Sequence, residues 1–252
     1  MATLINSEEF EMMDDVSDIV AQYNKNPENE NERLERHQLE RDLTWRYLNQ
    51  YLPSKGSILE IGAATGSYTI PLAKRGYTIT AVDISAKLLD VCRKKLITEG
   101  LVQQVQIIEA DVRNLERVIR RDFDAVLLMG PLYHLVMEEE RKLVLQQVYD
   151  SLLPGGVLFS ACISRYGVLG DVLRAFPGWI EERANVQSLL KKGKEIDSGG
   201  GIRAYFSTVK EIPALHEAVG FETIVLAGVE PGLSSADDES YNRLEEIQRQ
   251  LW

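Results

Sequence analysis

The feature that most constrains the fold is an apolar strand that runs into a glycine turn and then into a helix. Residues 58–67 read Ile-Leu-Glu-Ile-Gly-Ala-Ala-Thr-Gly-Ser. Gly62 and Gly66 let the backbone approach a ligand where a side chain would collide, and the N-terminus of the following helix offers free N–H groups. The turn therefore predicts a ligand site at the end of a buried strand.

The chain continues by alternating short apolar runs with helical segments. The apolar runs predict strands near 57–61, 78–82, 105–108, 124–129 and 156–163. Helices are expected near 67–75, 86–98 and 138–152. Strands joined by crossover helices form a parallel sheet. The fold class is therefore predicted to be α/β, with a doubly wound, mostly parallel sheet.

The segment before this alternation differs in composition. Residues 1–32 form an acidic N-terminal arm with nine acids against Lys25 alone, and part of it is expected to be mobile until a ligand binds. Residues 33–52 carry apolar side chains at every fourth position, which predicts one amphipathic helix ending before Pro53.

The segment after the fifth predicted strand also breaks the rhythm. Residues 164–208 combine aromatic side chains with a Lys-rich stretch and a Gly199–Gly201 run. An insertion after the carboxyl end of a strand lies above the ligand edge of such a sheet, so this segment is predicted to be a substrate cap. A helix near 208–219, a strand near 222–229 and a charged helical stretch to Trp252 are expected to follow.

Composition excludes several classes of protein. The formal charge of −11 leaves no basic face for a phosphate backbone, so nucleic-acid partners are disfavoured. Cys92 and Cys162 are too few for a disulfide framework or a zinc cluster, and no metal is expected. The chain has neither an apolar run that could span a bilayer nor a basic leader, so we expect a cytoplasmic monomer or homodimer without membrane contact.

A dinucleotide site is the first alternative to weigh at the glycine turn. The Gly-x-Gly-x-x-Gly fingerprint would bring a pyrophosphate close to the helix. Its second and third glycine positions hold Ala64 and Ser67. A ligand without a diphosphate fits this loop better.

Two acidic residues follow the next predicted strands. Asp83 ends the second strand, where a carboxylate can accept hydrogen bonds from the two hydroxyls of a ribose, although a helix cap is the other interpretation and Ser85 competes for that role. Asp111 and Val112 follow the third strand, where a carboxylate could meet the exocyclic amine of adenine and an apolar side chain its ring. The pattern therefore predicts a nucleoside site.

These residues together resemble the class I S-adenosylmethionine-dependent methyltransferases, in particular the small-molecule branch. The family's acidic residue followed by Gly-x-Gly-x-Gly matches at Glu60, Gly62 and Gly66, with Ala64 in the middle position. The resemblance implies that Glu60 lies near the methionine amino end and that Met129 begins a loop beside the donor methyl. The cofactor-binding residues that it implies are Glu60, Gly62, Ala64, Gly66, Asp83, Ile84, Asp111, Val112 and Met129.

The loop after the fourth strand indicates the kind of acceptor. Relatives that methylate planar amines carry Asn/Asp-Pro-Pro-Tyr there, whereas residues 129–134 read Met-Gly-Pro-Leu-Tyr-His. This difference favours methyl transfer to an oxygen, nitrogen or carbon of a small-molecule metabolite. His134 is the candidate base because its ordinary pKa suits proton removal, and Tyr133 is a candidate for orienting the substrate.

Two points stay open at this stage. A catalytically idle S-adenosyl-binding or protein-interaction domain would carry the same core motifs. The family fold ends with a seventh strand between the fifth and sixth, but no convincing apolar strand follows Val229. Its slot could be filled by Ile202–Ser207, left open or filled by a partner chain.

Overall fold

A computed structural model of the protein describes residues 13–119, 122–175, 177–181, 183–194, 203–229, 241–243, 245 and 246. Its centre is a sheet of five strands: β1 (Ser57–Ile61), β2 (Thr78–Asp83), β3 (Val105–Glu109), β4 (Phe123–Leu128) and β5 (Leu152–Ser160). Their spatial order is β3-β2-β1-β4-β5, and all four pairings are parallel. The predicted parallel α/β architecture is confirmed.

Helices precede, connect and follow these strands. Before the sheet lie α1 (Ser17–Lys25), α2 (Pro27–Asn31), α3 (Arg33–Arg36) and α4 (Gln38–Tyr51). The strands are connected by α5 (Thr69–Lys74), α6 (Ala86–Thr98), a 3-10 helix (Val112–Arg117), α7 (Pro131–His134) and α8 (Glu138–Ser151). After β5 come α9 (Gly167–Ala175), a 3-10 helix (Pro177–Glu181), α10 (Arg183–Lys192) and α11 (Glu211–Glu217). None of the helices in the described ranges is long and apolar enough to cross a membrane.

The sheet is buried on both faces. Successive residues of a strand point to opposite faces, and in β1 Ile58 joins one apolar core while Leu59 joins the other. Helices α4, α5 and α6 cover the first face, where Leu48 is fully buried. Helix α8 covers the second face with Val144 and Val148. Both flanking layers are therefore needed to keep the strands dry.

The N-terminal segment differs from its prediction in one place. The expected single helix 33–52 is broken at His37, whose backbone is not helical and separates α3 from α4. Within the arm, α2 has Pro27 at its first position, and the Asn26 side chain accepts a hydrogen bond from the Asn29 amide. An Asn cap followed by proline is a helix-start signal, and it is the local reason for α2. Of the arm, residues 1–12 lie outside the described residues.

The predicted strand 222–229 is wrong. Residues 221–229 carry no strand or helix, and Ile224, Val225 and Leu226 are exposed. A strand requires a hydrogen-bonded neighbour, and no neighbour pairs with this segment within the described part of the chain. The apolar composition of this segment matches the pattern of a strand, but composition does not provide a neighbouring strand to pair with.

The cap segment contains a small sheet of its own. Strands β6 (Ile163–Ser164) and β7 (Phe206–Ser207) pair in parallel, so the tail of the 202–207 stretch pairs with β6 and leaves the slot beside β5 unfilled by these residues. Trp179, Leu189 and Phe206 form a third apolar core beneath it. Ile202, Phe176, the Gly199–Gly201 run and most of the C-terminal stretch to Trp252 lie outside the described residues.

The packing of α4 gives a direct test of the fold. Replacing the fully buried Leu48 with Ala removes methyl groups from the core and leaves a cavity, so urea unfolding should show a loss of about 2–5 kcal/mol in the free energy of unfolding. The matched control is Ile97→Ala on the exposed side of α6, which should change it by less than about 0.5 kcal/mol. Equal unfolding midpoints for the two variants would contradict the placement of α4.

Candidate active site

The glycine turn is held between β2 and the loop after β4. The amides of Gly62 and Ala63 both donate to the Val82 carbonyl, at 2.8 and 3.1 Å. Gly62 has φ +81°, and a Cβ there would lie 2.7 Å from the Cδ of Pro131. Pro131 thus occupies the space that a side chain at Gly62 would need. The other side of the turn faces the pocket described below.

Ala64 occupies a strained position at the centre of the turn. Its φ of +47° is in the left-handed region, which an L side chain enters at a cost of roughly 1–2 kcal/mol. The Ala64 amide donates to Oδ2 of Asp83 over 2.9 Å, and this bond fixes the strained conformation against the end of β2. Backbone strain of this kind is characteristic of ligand sites.

Asp83 is a buried carboxylate that faces the pocket. Its Oδ1 accepts a hydrogen bond from the Ser85 amide over 2.8 Å, while the Ser85 side chain caps α6 by accepting from the Leu88 amide. The helix-capping role that was the other interpretation of Asp83 therefore belongs to Ser85. Burial raises the pKa of Asp83 above its ordinary value, and the hydrogen bonds from Ser85 and Ala64 oppose that shift. Further donors from a ligand would stabilise the carboxylate.

Asp111 lies at the pocket wall in a fixed orientation. Both of its oxygens accept from the Arg113 guanidinium, with the shortest contact 2.6 Å, and Arg113 also donates to Glu140 at 2.7 Å. A further Arg113 hydrogen bond, 2.6 Å long, reaches the Asp14 carbonyl of the arm. The carboxylate expected to meet an adenine amine is thus also part of the contact that fastens the arm.

A single pocket contains most of the residues singled out from the sequence. It lies at the carboxyl edge of β1, β2 and β4 and is partly open to solvent. The predicted residues that line it are Gly62, Ala64, Asp83, Ile84, Asp111, Val112, Met129, Tyr133 and His134. Glu60 and Gly66 are absent from its lining.

Glu60 lies beneath the turn. The Thr69 hydroxyl donates to Oε2 of Glu60 over 2.6 Å, and burial raises the pKa of Glu60 to about 8, with the Thr69 bond opposing the shift. Gly66 packs toward Cys92, whose Sγ would lie 2.7 Å from a Cβ at that position. Glu60 and Gly66 therefore lie on the side of the turn that faces away from the pocket.

The N-terminal arm forms the outer wall of the pocket. Val16, Ile19 and Tyr23 of the α1 region line it, together with Glu30 and Arg33. The sequence reasoning missed Val16, Ile19, Glu30 and Arg33 as site residues. The Asn26–Pro27 start signal was readable, although nothing local to the arm indicates that it folds back over the sheet.

His134 joins the arm to the cap. Its Nδ1 lies 3.2 Å from the Arg203 carbonyl and its Nε2 lies 2.8 Å from the Tyr23 hydroxyl. A carbonyl only accepts, so Nδ1 carries the proton and Nε2 accepts from Tyr23. Burial lowers the pKa of His134 below its ordinary value, with the Arg203 hydrogen bond opposing, which keeps the imidazole neutral.

Arg203 in turn holds the arm. Its guanidinium pairs with Asp14 at 2.7 Å and with Asp18 at 3.1 Å. The other two histidines lie elsewhere. His216 is satisfied by Ser160 and by the Ile212 carbonyl, and His37 is at the break between α3 and α4.

The charge of the pocket suits a cation. Three carboxylates line it, those of Glu30, Asp83 and Asp111, against the single guanidinium of Arg33, which is itself paired with Glu40 at 2.7 Å. A diphosphate would meet repulsion here, whereas a positively charged nucleoside would be attracted. No group of three His, Cys, Asp or Glu side chains in the described ranges is arranged to hold a metal ion.

Comparison with known proteins finds a methyltransferase domain in part of the chain. Residues 58–156 match the family model described as a methyltransferase domain. The chain is 27% identical over 138 residues to the tRNA 5-carboxymethoxyuridine methyltransferase of Escherichia coli K12, covering 52% of this chain and 51% of that protein. It is 37% identical over 98 residues to the carboxy-S-adenosyl-L-methionine synthase of Photobacterium profundum, covering 39% and 38%. The chain thus spans about half or less of the length of these curated relatives.

Solved structures share the fold at low identity. A complex titled DhpI-SAM-HEP superposes with a TM-score of 0.57 at 18% identity, covering 81% of this chain and 88% of that one. A SAM-dependent methyltransferase from Methanosarcina mazei gives 0.56 at 20% identity, covering 70% and 84%. With its glycine turn, its strand-end carboxylates and the methyltransferase domain matched over residues 58–156, the chain is similar to the class I S-adenosylmethionine-dependent methyltransferases.

Proposed function

We propose that this chain binds S-adenosylmethionine in the pocket and transfers its methyl group to a nucleophilic oxygen, nitrogen or carbon of a small-molecule metabolite. The observation that carries the proposal is the acidic pocket at the carboxyl edge of the sheet, with Asp83 in its lining. The donor carries a sulfonium, an ammonium and a carboxylate, which leave one net positive charge. Its charge therefore complements the three carboxylates of the lining.

The residues present fit each part of that donor. Asp83 would accept from the ribose hydroxyls, and Val112 and Asp111 would flank the adenine. Arg33 is the one guanidinium of the lining and would pair with the carboxylate, while Glu30 would attract the ammonium. When bound, the group supplies an electrophilic methyl, and Met129 begins the loop beside it.

The chain's own residues would orient the acceptor and receive its proton. Nε2 of His134 is an acceptor in the neutral imidazole, and Tyr23 holds it in the closed arrangement. An acceptor hydroxyl or ammonium that replaced the Tyr23 hydroxyl would meet this same nitrogen. The Tyr133 ring lies 4.6 Å from the His134 ring between centroids and would restrict how the acceptor enters.

We propose the division of the chain on the same grounds. Residues 1–32 would act as a lid, and residues 33–252 as the methyltransferase domain with its cap insertion at 164–208. The support is that α1 and α2 line the pocket and that Arg203 of the cap pairs with Asp14 and Asp18 of the arm. Closure over the donor would exclude water and align the reacting atoms.

A tRNA base is the second candidate acceptor. The 27% identity to a tRNA 5-carboxymethoxyuridine methyltransferase favours it. The formal charge of −11 opposes it, because binding to a phosphate backbone requires clustered Lys and Arg.

A donor labelled in its methyl group distinguishes the candidates. The label is incubated with the full chain and, separately, with a metabolite panel and with bulk tRNA. Incorporation into a metabolite supports the proposal, and incorporation into tRNA would overturn its small-molecule part. S-adenosylhomocysteine binding without any incorporation would indicate the catalytically idle domain.

The Asp83 carboxylate gives the sharpest test of donor binding. Asp83→Ala removes two charge-assisted hydrogen bonds to the ribose at once, so the Kd for S-adenosylhomocysteine in calorimetry should rise about tenfold or more. Asp90→Asn is the matched control because Asp90 lies exposed on α6 and pairs with Arg93. An unchanged Kd in Asp83→Ala would show that the ribose lies elsewhere.

A pH profile tests the role of His134. A base must be neutral, and the pKa of His134 is lowered from 6.5, so kcat/KM should fall with acid only below about pH 6.5. His134→Gln should abolish this acid limb of the pH profile and reduce turnover by a factor of about 10²–10⁴. His216→Gln, a histidine away from the pocket, should keep the limb. An identical limb in His134→Gln would exclude His134 as the base.

Truncation tests the lid. Deleting residues 1–32 removes Val16, Ile19, Tyr23 and Glu30 from the pocket wall, so turnover should fall strongly while the sheet stays folded by circular dichroism. In the full chain, S-adenosylhomocysteine should slow limited proteolysis within 26–32. Full activity of the truncated chain, together with cleavage that the nucleoside never slows, would make the arm a solubilising tail.

A further inference from the structure

Arg141 of α8 is a buried cation whose charge is not balanced by a contacting carboxylate. Its side chain is 4% exposed, and its Nη1 donates to the Leu135 carbonyl over 2.6 Å. Its Nε is buried without a hydrogen-bond partner, and the described residues place no carboxylate oxygen within 4.0 Å of the guanidinium. The guanidinium centre instead lies 3.6 Å from the centre of the Tyr205 ring.

Two other arginines show what an equally buried guanidinium ordinarily has. Arg113 pairs with Asp111 at 2.6 Å, and Arg165 pairs with Glu211 at 2.8 Å. Burial lowers the pKa of Arg141. Glu138 and Glu211 oppose this shift from a distance, without contacting the guanidinium. Burying a charge without its partner is strongly unfavourable, so such a group is retained where a ligand completes it.

The position of Arg141 connects it to the pocket. Leu135, whose carbonyl accepts from Nη1, lines the pocket beside His134. The stacked Tyr205 donates its backbone amide to the Tyr133 carbonyl over 2.7 Å. The guanidinium therefore lies between the loop after β4 and the cap, beside the pocket wall but not among the residues that line the pocket.

The free edge of the guanidinium has the geometry that recognises an oxyanion. Nη1 is engaged by Leu135, and Nε has no partner among the described residues. The N–H groups of Nε and Nη2 are parallel in a guanidinium and match two oxygens of a carboxylate or a phosphate, while the Tyr205 ring stacks on the guanidinium.

We propose that Arg141 is the anchor of an acceptor subsite for an oxyanion, so that the molecule methylated here carries a carboxylate or a phosphate. The proposal rests on the proposed methyl transfer and names the class of its acceptor. The subsite is closed in this structure because Nε is buried, so the side chains packed around it have to move for the anion to enter.

The test uses the full chain saturated with S-adenosylhomocysteine and two probes, sodium acetate and inorganic phosphate, with sodium chloride at equal ionic strength as the reference. The readout is the ¹⁵N-resolved Nε–H signal of Arg141 during the titration. A saturable shift with acetate assigns a carboxylate acceptor, one with phosphate assigns a phosphate acceptor, and shifts with both assign an oxyanion in general. Small anions bind weakly, so millimolar Kd values are expected.

Variants separate binding from structure. In thermal unfolding, an anion that binds should raise the Tm of the wild type. Arg141→Met should abolish this rise, and Arg141→Lys should retain part of it. Arg75→Met is the control, since Arg75 also stacks on an aromatic ring, that of Trp45 at 4.3 Å, but is exposed and donates to the Asn49 side chain. It should respond to the anions as the wild type does.

Two outcomes would overturn the proposal: no saturable shift of the Arg141 signal with either anion, or an equal anion response in Arg141→Met. If Arg141→Met fails to fold, the wild-type titration and Arg141→Lys still decide. Failure of the wild type to bind S-adenosylhomocysteine would count against the methyltransferase function itself, which distinguishes the two.

Discussion

The site depends on the central position of β1, which pairs in parallel with β2 on one side and with β4 on the other. Ile61 is in register with Val82 and with Leu128, so the next residues of all three strands emerge at the same edge. Gly62, Asp83 and Met129 are thereby brought together although they are far apart in the chain. The hydrogen bond from Ala64 to Asp83 then joins the turn of one strand to the carboxylate of the next.

Electrostatics explains why the arm closes on this edge. The arm is acidic, yet it is held by cations from the body of the protein, with Arg203 binding Asp14 and Asp18 and Arg113 binding the Asp14 carbonyl. Because Arg113 also orients Asp111, the wall of the pocket and the attachment of the arm share one guanidinium. Closure of the arm and the arrangement of the nucleoside site are therefore parts of the same ion-pair network.

The sequence predicted those parts of the fold that depend on burial and on strand ends. All five main strands were located from apolar runs, and Asp83 was placed at the pocket because parallel strands end at a common edge. Local patterns could not show which side of the glycine turn faces the pocket, and Glu60, predicted to bind the cofactor, is not among the residues that line it.

Tertiary contacts account for the rest. Glu30 and Arg33 reach the pocket only because the arm folds back, and no periodicity within the arm encodes that. The break at His37 and the unpaired segment 221–229 have the same origin, since propensity and apolar content do not supply a neighbouring strand or fix a helix direction.

A crystal structure of the full chain with S-adenosylhomocysteine tests the central claim most directly. The account predicts electron density for the ribose with both hydroxyls within hydrogen-bond distance of Asp83. It also predicts the thioether sulfur between the 62–66 turn and the loop at Met129, with α1 closed over the nucleoside. Density for the nucleoside outside this pocket, or inside it without contact to Asp83, would contradict the account.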